Sequence, residues 1–190
     1  MDGATIEKKL AELKLLDDMP LYTWYLPLLH PSADLPEVQS LLAKYRKLAV
    51  GLRTCPDFIR ELISDRNWRP TLIGLAVVIL LRAAEYQSDM VWRLVNWNWV
   101  APQLAVAIAI VDQGRGEDLL RRVVEEANEE SNPKIVMSAY SALSFVNSPI
   151  AAEFEGSELF EHLRKADAWD GSVAIAKRHW EFWNAIAPIQ

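Results

Sequence analysis

Apolar positions along this chain fall in blocks of helical length, and the blocks recur. Ile6, Leu10, Leu13 and Leu16 keep the i, i+4, i+7 spacing of a surface helix with one buried stripe. Further on, runs of small and aliphatic residues each follow a turn and a proline: TLIGLAVVILL after Trp68-Arg69-Pro70, QLAVAIAIV after Trp99-Val100-Ala101-Pro102, and KIVMSAYSALSFV after Ser131-Asn132-Pro133. Pro70 to Pro102 is 32 residues and Pro102 to Pro133 is 31. A fixed period in this range predicts stacked helical hairpins, each unable to bury its apolar face without its neighbours.

The same signals place the remaining elements. Four prolines between Pro20 and Pro36 break 17–35 into short helical or irregular pieces, so 1–35 reads as an N-terminal helical cap. Pro36-Glu37 starts a helix that runs to Gly51. The first hairpin joins a short helix over 57–63, through a turn at 64–68, to a helix from Pro70 to about Glu85. In the second, Ser88 and Asp89 cap a helix over 90–95, Asn96 to Val100 make the turn, and the next helix ends near Gly114. Glu117 to Asn128, a turn at 130–132 and the helix from Pro133 form the third. A looser fourth pair joins 155–166 to SVAIAKRHWEFWNAIA, with Trp169-Asp170-Gly171 at the turn. VAIAIV resembles a strand locally, but its proline and its period-matched neighbours favour helix. The prediction is one all-α domain over 1–190, a right-handed α-α superhelix of about five hairpins, with the repeats spanning 36–187.

Composition narrows the class. At 190 residues, 51% apolar and with eight tryptophans, the chain suits one globular core. The most apolar run, Thr71 to Leu81, is far below the ~20 residues that cross a bilayer. The N-terminus lacks the basic, apolar and cleavage regions of a secretory signal, and Cys55 has no partner for a disulfide, so a cytoplasmic protein is expected. Net charge is −6, concentrated over 112–170, which holds 13 acids against 6 bases. A nucleic-acid binder needs a basic stripe, so the expected partner is a protein, basic if charge guides it.

Candidate chemistry is sparse. His30, His162 and His179 stand far apart, no metal-ligand spacing or phosphate-binding glycine loop occurs, and Gly114-Arg115-Gly116 reads as a turn. No cofactor is expected. Glu125, Glu126, Glu129 and Glu130 share a helix face at i, i+4 spacing; a solvated face explains them, and an acidic recognition surface is the alternative. Trp68, Trp99 and Trp169 hold one repeat position and are expected to pack at hairpin corners. Trp92, Trp97, Trp24, Trp180 and Trp183 are not explained by the period. Trp97, between Asn96 and Asn98 in a turn, is the candidate anchor for a partner, with Trp92 beside it. If second helices line a concave face, then Arg69, Thr71, Arg82, Gln103, Lys134 and Ser138 are the polar residues left over there.

The blocks NWRPTLIGLAVVILL and NWVAPQLAVAIAIVD resemble the HEAT-like α-helical repeats of small bacterial proteins, over roughly residues 37–187. That resemblance implies scaffolding or partner binding without catalysis, and some proteins of this look are immunity proteins that neutralise a cognate toxin. HEAT-like alkylpurine DNA glycosylases use a basic concave face that this chain does not advertise, and HEAT-like phycobilin lyases hold a tetrapyrrole. Three readings stay open: a protein-binding module, an enzyme or small-molecule binder with a pocket between repeats, and a homodimer.

Overall fold

Short polar side chains ahead of apolar runs set the helix starts. The computed structural model describes residues 3–12, 22–29, 31, 36–96, 99–169 and 171–186. Among them are twelve α-helices and no strand: α1 (Gly3–Glu12), α2 (Tyr22–Leu29), α3 (Pro36–Leu52), α4 (Pro56–Ser64), α5 (Trp68–Leu81), α6 (Gln87–Asn96), α7 (Ala101–Val111), α8 (Gln113–Glu125), α9 (Pro133–Phe145), α10 (Pro149–Glu155), α11 (Glu158–Ala166) and α12 (Ser172–Asn184). Asn67 caps α5 by accepting from the Arg69 amide at 3.1 Å, and Asn132 caps α9 by accepting from Lys134 at 3.1 Å and Ile135 at 3.4 Å. Pro133 opens α9 and Pro102 lies in the first turn of α7, where a missing N–H costs no helical bond.

Consecutive pairs α4–α5, α6–α7 and α8–α9 pack together, and neighbouring pairs stack so that α5, α7 and α9 form one row and α4, α6 and α8 another. The first row is covered again from elsewhere in the chain: α2 and α3 lie on α5, while α12 crosses both α7 and α9. Every residue of Ala101–Val111 is buried, and so is every residue from Pro70 to Leu80. A helix apolar on all sides has to be enclosed on all sides, and these two are. The second helices therefore line no open concave face. Thr71, Gln103 and Ser138, expected there as leftover polar groups, are interior. Thr71 Oγ1 donates to the Ile63 carbonyl at 3.3 Å, and Ser138 Oγ donates to the Lys134 carbonyl at 2.6 Å.

Several boundaries differ from the sequence expectation, each for a local reason. α5 stops at Leu81, not near Glu85, because Arg82 turns left-handed (φ 51°, ψ 41°), and the amides of Arg82 and Ala83 close on Ile79 and Val78. α6 starts at Gln87, after a 3₁₀ turn over Ala84–Tyr86, so Ser88 and Asp89 lie within it and do not cap it. The expected turn Gly114-Arg115-Gly116 is the start of α8. Asp112 is extended (φ −145°, ψ 106°), ending α7, and its carboxylate caps α8 by accepting from the Arg115 amide at 3.2 Å. The segment 155–166 is divided between α10 and α11, with Ser157 Oγ capping α11 at the Phe160 amide, 3.1 Å away. Over 22–29 the proline-rich segment is one helix that includes Pro27, and residues 13–16 of the predicted first helix lie outside the described residues.

Gly116 exists for packing. A Cβ there would lie 2.3 Å from the Ile108 carbonyl oxygen, so a methyl group cannot fit between α8 and α7. Buried Gln87 ties α6 into the same junction, its amide donating to the carbonyls of Ile108 at 2.9 Å and Asp112 at 3.0 Å. Across the stack, α12 buries Ala176, Phe182 and Trp183 and rests Trp180 on Phe145 at 5.5 Å. Its His179 ring reaches the Leu29 carbonyl at 3.3 Å, so the last helix closes over the row and meets the end of α2.

Gly116→Ala is expected to destabilise the fold by about 3 kcal/mol, because the clash is with backbone. Gly114→Ala, which meets only the Asp112 carboxylate at 3.9 Å, should be neutral or stabilising by about 0.5 kcal/mol. Urea denaturation of both variants checks the contrast. Burial also raises the Tyr45, Tyr86 and Tyr140 hydroxyls above their ordinary pKa, with Glu85 and Glu155 adding to the last two. The unfolded chain then releases these protons first, so their contribution is intact below about pH 10 and is lost as pH rises through the folded values. The urea midpoint should fall between about pH 9 and about pH 11, and Tyr45→Phe should shrink that fall.

Candidate docking groove

α6 turns Gln87, Met90, Arg93 and Leu94 inward. More apolar surface remains on it than the core takes up: Trp92 is 51% exposed and Val95 47%. At ~100° per residue, Val95 falls between Val91 and Trp92 around the helix. On α8, Leu120 and Val124 are buried while Leu119 and Val123 are only partly covered. These side chains converge with the first turn of α9 on an open groove of about 490 Å³, floored by Val91, Val95, Leu119, Val123, Ile135 and Val136. Neither tryptophan lines the groove: Trp92 lies beyond Val95 around α6, and Trp99, 73% exposed, follows in the turn after α6.

The polar edge comes from the α8–α9 turn. Ser131 Oγ accepts from the Asn128 amide and Asn128 Oδ1 from the Glu130 amide, both at 2.9 Å, so the turn is held by its own side chains. Arg122, Glu126 and Asn132 line the groove from this side. Because α8 ends at Glu125, Glu129 and Glu130 belong to the turn and share no helix face with Glu125 and Glu126, contrary to the spacing argument. All four are exposed.

The other sequence candidates separate clearly. Trp97 and Asn98 lie outside the described residues, as do His30, Asp170 and the side chains of Trp24 and Trp169. Asn96 is exposed, and its amide nitrogen donates to the Trp92 carbonyl at 2.7 Å, closing the end of α6. Arg69 belongs to the fold: its Nε donates to the Tyr25 hydroxyl at 2.9 Å, and its guanidinium lies 4.8 Å from the Trp68 ring, which meets Tyr25 edge-on at 5.2 Å. Trp68 thus packs at its corner as expected. At the matching corner Trp99 is 73% exposed, and among the described residues no helix covers it as α2 covers Trp68. Arg82 donates to the Ile110 carbonyl at the end of α7. Gln103 is enclosed on α7, and half-buried Lys134 sits in the first turn of α9 next to Asn132 and Ile135 of the groove.

Two features escaped sequence reading. The groove floor is one, although Val91/Val95 and Leu119/Val123 are i, i+4 pairs beyond what a single buried stripe requires. The other is Arg93, fully buried and facing buried Asp65 of the α4–α5 turn; desolvation lowers its pKa and Asp65 opposes the shift. Removing one member of such a pair strands a buried charge, so Arg93 belongs to the architecture.

A second cavity of about 410 Å³ lies where α1 meets α4, lined by Lys9, Cys55, Phe58 and Glu61 among others. Its charged groups are paired: Lys9 with Glu61, the ammonium lying 5.2 Å from the Phe58 ring, and Asp57 with Arg60 at 3.4 Å. Among the described residues no cluster of three or more His, Cys, Asp or Glu is placed to hold a metal ion, and no helix is long and apolar enough to cross a membrane. No protein-family model, curated protein or solved structure matches the chain.

Since Trp92 and Trp99 are mostly solvated, the double substitution Trp92→Ala/Trp99→Ala should change folding stability by less than about 1 kcal/mol, against about 3 kcal/mol or more for Leu120→Ala in the core. Thermal unfolding of the two variants checks the difference.

Proposed function

We propose that this chain is a non-enzymatic protein-binding module, a right-handed stack of HEAT-like hairpins acting in the cytoplasm, which docks a basic protein partner on the groove between α6, α8 and α9. The observation that carries the reading is an open apolar groove beside an acidic turn, on whose α6 wall Val95 is followed around the helix by exposed Trp92, with exposed Trp99 in the turn after that helix. Solvent-facing tryptophan is unfavourable in isolation, and aromatic anchors in a partly apolar patch are where binding energy concentrates. The acids of the turn, within a segment holding 13 acids against 6 bases, would orient a cationic partner and speed its encounter. A toxin neutralised by occlusion of its working surface is one partner that this chemistry suits, and the immunity role is the narrow form of the proposal.

The enclosed row α5, α7 and α9 supports an edge site over a concave one, since its polar residues are engaged internally or covered. An open groove with no aromatic lining also favours docking over the enzyme or small-molecule reading, which calls for a closed aromatic pocket.

The test compares baits. Wild-type protein should retain one stoichiometric basic protein from its native lysate, and Trp92→Ala/Trp99→Ala should lose it, each tryptophan being worth about 1 to 3 kcal/mol of binding. Equal retention by the folded double variant would remove the groove from the account.

A further inference from the structure

We infer that the segment entering the groove is an amphipathic helix bearing lysine or arginine at the end that meets the α8–α9 turn. This rests on the docking reading above and specifies the occupant. Extended peptides dock by adding a strand to a sheet edge or, as polyproline, in an aromatic-lined groove; the described residues contain no sheet, and no aromatic residue lines this groove. Here the walls are side-chain ridges at helical spacing, Val91 and Val95 on α6 and Leu119 and Val123 on α8. Such ridges accept the i, i+4 row of a further helix, and about 490 Å³ leaves room for a short row of aliphatic anchors.

Charge selects the occupant. Glu125 and Glu126 end α8, where the negative pole of the helix already disfavours carboxylates, and Glu129 and Glu130 follow in the turn. None of the four forms an ion pair within the described residues; Glu126 and Arg122 line the groove itself, and Glu125, Glu129 and Glu130 beside them leave this end net negative, whereas Arg121 on the same helix pairs with Asp118 at 3.0 Å. A second copy of this chain would bring equally acidic surface to the groove and add to the repulsion. A helix with a cationic end relieves it, and its apolar face covers Val95 and Trp92 at the same time.

Three fluorescein-labelled 18-residue peptides test this by anisotropy: one with leucine at i, i+4, i+7 and i+11 and lysine in its last turn, one with glutamate replacing those lysines, and one with the lysine peptide's residues scrambled. The lysine peptide should bind at least about tenfold tighter than the other two. Val95→Asp, at an exposed position, should weaken it about tenfold, and Glu126→Gln/Glu130→Gln about fivefold with a shallower salt dependence. Equal binding of the lysine and glutamate peptides, lost in Val95→Asp, would overturn the charge requirement while leaving groove docking intact. Equal binding of the scrambled peptide, or no effect of Val95→Asp, would overturn the helical occupant; the docking reading would then stand or fall on the bait comparison. Light scattering should give a mass near 21.6 kDa, and a dimer dissolved by Val95→Asp would assign the groove to a second copy and overturn the inference.

Discussion

Enclosure of α7 is the constraint on which the rest of this structure depends. An eleven-residue helix without a charge, APQLAVAIAIV, has no face it can leave in water, and α5, α6, α8, α9 and α12 surround it. Each valine, leucine or isoleucine buried there contributes about 1.5 to 3 kcal/mol against the entropy of ordering the chain. Burial on all sides also requires that the backbone ends be satisfied from outside the helix. Gln87 and Arg82 donate to carbonyls near its C-terminus, and Gly116 lets α8 approach where any side chain would collide.

That enclosure moves the available surface to the edge of the stack. With α12 drawn across α7 and α9, the inner face is spent on the core, and polar residues along it bond to neighbouring backbone or lie covered. In the outer row α4, α6 and α8, α1 reaches α4, but among the described residues no further layer lies over α6 and α8, so the apolar surface these two carry beyond one stripe stays partly wet. α6 and α8 both carry such an excess, and the rigid turn after α8 adds acids beside it. The resulting groove is thus a consequence of packing the centre fully.

Local signals were legible and long-range ones were not. Asn67 and Asn132 act within three residues of themselves, which is why the starts of α5 and α9 lie close to where spacing put them. The apolar run after Pro102 announced a buried helix because no arrangement keeps it wet. Gly116 was mistaken for a turn glycine since its reason lies across an interface, at the Ile108 carbonyl. Trp68 and Trp99 occupy the same repeat position, yet one is packed and the other exposed; the difference is α2, whose place on α5 no periodicity encodes. For the site, Trp92 and Glu126 could be named from sequence, but the floor that joins them needs three helices placed in space.

The central claim is that the α6, α8 and α9 edge, and not the face closed by α12, is where a partner docks. Site-specific photo-crosslinking in the native cell tests it most directly, with the crosslinker replacing Val95 in the groove or Val173 on α12, both exposed apolar positions (47% and 41%). The account predicts one discrete crosslinked partner from position 95 and none from position 173. A discrete product from 173 with none from 95 would contradict it and return the working surface to the α12 face.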